Sequence, residues 1–526
     1  MQHSVYTRRC LRLLLLFLLL DVVIVCVWKC LAAIHRHEGD LSFASYYGDH
    51  MVLQKSPERA VLWGYGSDGA QVTLTLSGPT KQKTSPVTVT NGIWRVTLNP
   101  VKAGGPYNVT AVTKDSNATL TDVLFGDIWL CGGQSNMWFN MSMVRNASKE
   151  LKLSENYTDV RFFMASLRTG KTEQLNLTAV EIPWSVAPTN LAGFSAVCWL
   201  YGRYLYDTLQ YPIGLVESCW GGTPVEVWSS SRALQRCGQD YTWHCKVAWG
   251  GESPKNDSVL WNSMIHPLLN MTIKGAIWYQ GEANTYHNED KYACTFPAMI
   301  DDWRMSFHKG SGGQTAKDFP FGFVQLSTDI KTCASKFFPN VRWHQTADFG
   351  YVPNERMANT FMAVALDLPD PDSPLGPIHP RDKQDVAYRL TLGARAVAYN
   401  EKGVAFQGPF PKLILDNGTH VIVNYDQKIS VKKSDRIFEI CCTQTPVSCG
   451  NESPWVAAPI VWSNKTSVKL STHCEPSQKV GAVRYAWRDW PCDFKACPIY
   501  SANKTLPAPP FFYPMNRQAV NTAYNS

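Results

Sequence analysis

The sequence predicts an α/β protein: a parallel sheet with helices on both faces, flanked by N- and C-terminal β-rich modules. Three observations predict it. Residues 51–122 break into short β-runs punctuated by Pro, Gly, Ser and Asn. From Val123 to about residue 400, largely apolar strand-like runs alternate with helical stretches, the pattern of a sheet covered on both sides. After Asn400 the β-texture returns.

The elements follow in chain order. Arg8, Arg9 and Arg12 precede Leu13–Leu20, Asp21 and Val22–Trp28, and Cys30 and Ala32 have the −3/−1 spacing for cleavage after Ala32. Residues 1–32 are therefore expected to be a secretory signal peptide; a signal anchor is the rival reading, weakened by Asp21 in a run shorter than the ~20 apolar residues a span needs. The first β module, 33–122, is expected to carry strands at Ala60–Trp63, Gln71–Leu76, Val87–Thr90, Trp94–Leu98 and Tyr107–Val112, spaced as in a sandwich. The middle domain, 123–400, is expected to carry strands at Asp127–Cys131, Ile213–Ser218, Gly275–Tyr279, Phe321–Leu326 and Phe361–Leu368. Its helices are expected at Val197–Leu209, Tyr292–Phe307 and Lys383–Tyr399. The last module, 401–526, has β-runs at Leu413–Leu415, Thr419–Asn424, Ile437–Cys441, Val468–Leu470 and Ala482–Ala486. Its tail, Leu506–Tyr513, is expected to lie across a surface.

Composition narrows the compartment and the partners. Without residues 1–32 the net charge falls from +7 to +4, since four Lys/Arg and one Asp leave, and no basic run resembles a nucleic-acid patch. Sixteen cysteines become thirteen, and in an oxidising compartment several should pair; Cys441, Cys442, Cys449, Cys474, Cys492 and Cys497 read as staples of the last module. The odd total leaves one thiol unpaired or bridged to another chain. Twelve Asn-x-Ser/Thr sequons, at Asn108, Asn117, Asn140, Asn146, Asn156, Asn176, Asn256, Asn270, Asn417, Asn451, Asn464 and Asn503, suit an exported glycoprotein with N-linked glycans at several of them. Secretory-pathway residence, lysosomal or secreted, with no membrane span after signal cleavage, is the expectation.

The chemistry gathers at strand ends, where open parallel sheets bind ligands. Gly132-Gly133-Gln134-Ser135-Asn136-Met137 follows the first strand of the middle domain, Gly221-Gly222 the second, Gln280-Gly281-Glu282 the third, and Ile378-His379-Pro380 the fifth after a longer loop. A serine on a sharp turn offers a nucleophile, with backbone N–H groups beside it for an oxyanion. His379 is the expected base. Thr223, Pro224 and Glu226 read as a capping box, so the Gly-Gly turn also starts a helix. Gln280 offers an amide donor to the same oxyanion, Glu282 a buried carboxylate that fixes the loop, and Asn136 support beside the nucleophile.

These blocks resemble the SGNH-type serine esterases, in the branch marked by Gly-Gln-Ser-Asn-Met and Gln-Gly-Glu that deacetylates sialic acids. Phe43-Ala-Ser-Tyr-Tyr, Met51-Val-Leu-Gln-Lys, Trp220-Gly-Gly-Thr-Pro, the segment from Trp343 to Pro353 and Ile378-His-Pro-Arg-Asp-Lys-Gln extend the likeness over about residues 42–510. The resemblance implies an SGNH-hydrolase-like sheet, Ser135 as nucleophile, His379 as base, and an oxyanion hole from the Ser135 N–H, Gly221, Gly222 and Gln280. It implies an O-acetylated sialic acid or sialoglycan as substrate, with neither metal nor organic cofactor. Many relatives carry Asp three residues before the histidine, where this chain has Gly376; Asp372 is the expected replacement, with Asp370 or a Ser–His dyad as alternatives. An acetylesterase for other glycans and a catalytically silent glycan-binding protein are the competing functions.

Overall fold

The computed structural model describes residues 41–238, 253–331, 337–444, 449–450 and 453–515. The expected signal peptide lies outside them. Among the described residues no helix is long and apolar enough to cross a membrane.

Seven strands form the spine of the molecule, in the spatial order Val180–Val186, Val160–Ala165, Ile213–Cys219, Asn117–Gly133, Gly275–Tyr279, Phe321–Gln325 and Thr360–Val364. Six are parallel; Val180–Val186 closes one edge antiparallel. Every residue of Ile213–Cys219, Gly275–Tyr279 and Phe321–Gln325 is buried, as strands covered on both faces must be. Ala196–Leu209 and Lys383–Val397 cover one face, in an apolar cluster with Trp129, Phe162 and Phe361; Tyr292–Gly310 covers the other with Trp228, Trp278 and Trp303. From Asn117–Gly133 the chain runs to one side for Val160–Ala165 and Ile213–Cys219, and to the other for the three later strands. The crevice of this open sheet therefore lies at the carboxyl end of Asn117–Gly133.

That strand is 17 residues long, and its first half belongs to the N-terminal module, pairing with Gly104–Val112 and with Val52–Gln54. The apolar core follows it without a break, from Val72, Leu74 and Trp94 to Trp278 and Trp303. Five disulfides form among the described residues: Cys131–Cys198, Cys237–Cys294, Cys441–Cys449, Cys442–Cys474 and Cys492–Cys497; Cys219 is a buried free thiol. The last module holds two four-stranded sheets around its own core. Its tail is more than a surface strap, since Phe511–Pro514 adds a strand beside Lys479–Tyr485. Buried Arg342 joins this module to the middle sheet, donating to the carbonyls of Leu326, Ser327, Arg488 and Asp489.

Candidate active site

Ser135 stands where the long strand ends. Gly133 has φ of +141°, and a side chain there would run into the Tyr279 carbonyl, so only glycine turns the chain here. The turn is held on both sides: Gln134 N–H donates to Tyr279 O (2.9 Å) and Trp220 N–H to Gly133 O (3.0 Å). Ser135 then opens a one-turn helix, Ser135–Trp138, in which its own N–H has no intrahelical acceptor. Gly221 faces it; a Cβ on Gly221 would sit 3.4 Å from Ser135 Cβ, so the glycine keeps the approach to the hydroxyl open.

His379 reaches the serine from the loop after Thr360–Val364. Its Nε2 lies 2.8 Å from Ser135 Oγ, and its Nδ1 lies 2.8 Å from Leu375 O. A carbonyl can only accept, so Nδ1 carries the proton and Nε2 presents its lone pair to the hydroxyl, the tautomer a base requires. Burial lowers the imidazole pKa, and the nearby Lys383 charge lowers it further against the raising effect of the Leu375 carbonyl. The loop is tied by Ser373 Oγ donating to His379 O (2.6 Å) and by successive turns from Asp370 to His379.

The expected acid is corrected here. Asp372 is exposed and does not meet the imidazole; the turn that brings residue 379 back over residue 375 puts a peptide carbonyl in the acid's place. Asp370 is buried, but Arg381 engages both of its oxygens (2.7 and 2.8 Å) and holds its pKa low. It braces the loop rather than the ring.

Gln280 is also placed differently. Its amide donates to Thr223 O (3.2 Å) and Asn284 Oδ1 (2.7 Å), while Tyr292 OH donates to its carbonyl (2.9 Å). Both N–H groups are committed to bracing the Gly221-Gly222 turn, which leaves none for an oxyanion. The capping box does not form either: Thr223 Oγ1 donates to Trp220 O (2.6 Å) and accepts from Trp228 Nε1, and a short 3-10 turn, Val225–Trp228, follows. Glu226 instead accepts from Asn284 and Asn288.

Asn136 and Glu282 meet side chain to side chain beside the serine. Asn136 Nδ2 donates to Glu282 Oε1 (2.6 Å) and to Ile378 O (2.9 Å), while its Oδ1 accepts from Lys383 Nζ (2.5 Å). Burial raises the pKa of Glu282 and pulls that of Lys383 down to about 7. Sequence reading missed Lys383, Asn284 and Leu375. Lys383 stands inside a quoted block and Asn284 two residues past another, where their polarity was a usable signal; a backbone carbonyl acceptor has no side-chain signal at all.

Residues 125–375 match the family model described as "Carbohydrate esterase, sialic acid-specific acetylesterase", and residues 412–515 match "Sialate O-acetylesterase C-terminal domain". Sialate O-acetylesterase of Rattus norvegicus is 49% identical over 91% of this chain and 96% of its own length. The Homo sapiens protein of the same name is 50% identical over 89% and 92%. The chain belongs to the sialate O-acetylesterase family. Its fold is similar to that of a carbohydrate acetylesterase from Xanthomonas citri, with a TM-score of 0.74 at 27% identity, over 90% of this chain and 99% of the other. The fold is thus of the SGNH type, a central sheet with helices and further β-rich sheets beside it.

Proposed function

We propose that the protein is a serine carboxylesterase that hydrolyses O-acetyl esters of sialic acids, releasing acetate and the free sugar hydroxyl. The observation that carries the reading is the 2.8 Å approach of His379 Nε2 to Ser135 Oγ, with Nδ1 already occupied by a carbonyl. Ser135 Oγ attacks the acetyl carbonyl as its proton passes to His379 Nε2. The tetrahedral oxyanion lies between the N–H groups of Ser135 and the Gly221-Gly222 turn. Collapse breaks the bond to the sugar oxygen, which takes the proton from His379. Water then attacks the acetyl-enzyme with His379 again as base, and acetate departs from Ser135. The catalytic unit in this reading is a dyad steadied by a backbone carbonyl.

The protein acts in the secretory pathway, in the lysosomal lumen or outside the cell, after removal of residues 1–32 and with glycans on several of its sequons. Its divisions are 33–122, 123–400 and 401–526. The disulfides support an oxidising compartment.

The test is acetate release from an O-acetylated sialoside by Ser135→Ala and His379→Ala proteins, each expected to be inactive; substantial activity in either overturns the assignment. A panel including acetylated neutral glycans separates this substrate from the other acetylated sugars. Absence of a fluorophosphonate adduct on Ser135 in folded protein would favour a glycan-binding role.

A further inference from the structure

Lys383 is wholly buried in the first turn of Lys383–Val397, four residues after His379. Its Nζ donates to Asn136 Oδ1 at 2.5 Å and lies over the rings of Phe139 (4.7 Å) and Tyr279 (5.2 Å). Among the described residues no carboxylate reaches ion-pair distance of it; its anionic counterpart, Glu282, sits at the other end of the Asn136 amide. Glu282 Oε2 is itself buried without a hydrogen-bond partner. An ammonium and a carboxylate taken out of water are expensive, and an apolar residue of similar volume would fill the same space more cheaply. Packing alone therefore does not account for Lys383.

The Asn136 amide lies one residue along the chain from each half of the dyad. Asn136 follows Ser135 in the chain, and its Nδ2 donates to the carbonyl of Ile378, the residue before His379. A cation on the amide oxygen polarises the amide and strengthens both hydrogen bonds that its Nδ2 donates, to Glu282 and to the Ile378 carbonyl. We propose that Lys383 is a positioning residue: its ammonium, acting through Asn136, holds nucleophile and base at working distance and keeps a positive charge near the imidazole. The inference rests on the reading of His379 as base.

Two of the other carboxylates around the pair are already matched by cations. Asp370 is held by Arg381, and Asp382 by Lys495. Asp329, from the loop after Phe321–Gln325, faces Glu282, and Arg342 faces Tyr279. The charge on Lys383 disfavours imidazolium, so the base stays unprotonated to lower pH. Removing that charge raises the His379 pKa, and the acidic limb of kcat/KM moves to higher pH.

The experiment compares full-length wild type, Lys383→Met, Lys383→Gln, Lys383→Arg and Ser135→Ala for acetate release from an O-acetylated sialoside across pH 4.5–9. Lys383→Met is expected to lose on the order of ten- to hundredfold in kcat through misplacement of the dyad, with KM unchanged, and to shift the acidic limb upward. Lys383→Arg keeps the limb in place. If Lys383→Met does not fold, Lys383→Gln, which retains an N–H toward Asn136 without the charge, gives the same limb shift with a smaller loss in kcat. A wild-type limb and wild-type kcat in the folded uncharged variant overturn the inference. Activity retained in Ser135→Ala overturns the esterase reading instead, so the two failures are distinct.

Discussion

The Nδ1–H of His379 points at the carbonyl oxygen of Leu375, 2.8 Å away, in the place where a serine hydrolase often keeps a carboxylate. A carbonyl fixes the ring and its tautomer as a carboxylate does, but it brings a dipole and not a full charge to the imidazolium that forms during attack. The nearby Lys383 charge works against that imidazolium, opposing the Leu375 carbonyl. The resting site is thus set toward a neutral, ready base.

Asp372→Asn should leave kcat within about twofold of wild type, because loss of a triad Asp costs ~10⁴ only where the carboxylate meets the ring. Asp370→Asn should act through its loop: removing the anion beside Arg381 should lower stability by about 1–3 kcal/mol, read by denaturant unfolding. A 10³-fold fall in kcat for Asp372→Asn at unchanged stability would restore it to the site.

Gly133→Ala and Gly221→Ala should separate folding from chemistry. The first meets both a positive φ and the Tyr279 carbonyl, and should cost about 3 kcal/mol or more. The second makes ordinary contact at 3.4 Å and should fold normally, yet lose roughly tenfold in kcat by crowding Ser135. Thermal melts beside single-turnover acetylation rates decide both.

Gln280→Ala should lower the melting temperature and kcat together, since its amide ties Thr223 to Asn284. Asn284→Ala should do the same, and the double variant should fall short of additivity by about 1 kcal/mol. A kcat loss in Gln280→Ala with the stability of wild type would mean that its amide serves the oxyanion after all.

Glu217 gives a pH signature in stability. It is fully buried, accepts from Ser195 N–H (2.8 Å), and burial raises its pKa to about 8. Because the folded value lies above the unfolded one, its contribution is fully present below about pH 4.5 and is lost as pH rises through about 8, with a slope near 1.4 kcal/mol per unit between them. Glu217→Gln should remove that slope; unfolding free energies of the two proteins measured from pH 5 to 9 should converge toward low pH if Glu217 is its source, and a constant difference would exclude it.

Much of this was legible in the residues. Gly275–Tyr279 is an uninterrupted apolar run and Ile213–Cys219 opens on one, so the Gly- and Gln-containing turns that follow them stood out as a site. Val160–Ala165 and Val180–Val186 were missed because Arg161 and Pro183 interrupt the apolar signal, and Pro183 is tolerated on an edge strand. Asn117–Gly133 read as the join of two modules because its first half alternates with solvent and its second is buried throughout. Lys383 stood out only as the first residue of the expected helix Lys383–Tyr399; its burial comes from its tertiary surroundings, which the sequence does not display. The Asp372 expectation failed because a backbone partner leaves no trace in the identity of a residue.

Proteins assembled from separable cassettes place a linker at the seam, and such modules can be cut apart, swapped or swung. Here the seam is the interior of a single strand, Asn117–Gly133, whose last residues turn Ser135 into the crevice. Clipping the chain at residue 122 would not release a passenger; it would sever the beam on which the nucleophile is mounted. The N-terminal module is in that sense the foundation of the site, since Gly104–Val112 pairs with the first half of the strand whose other end carries the serine.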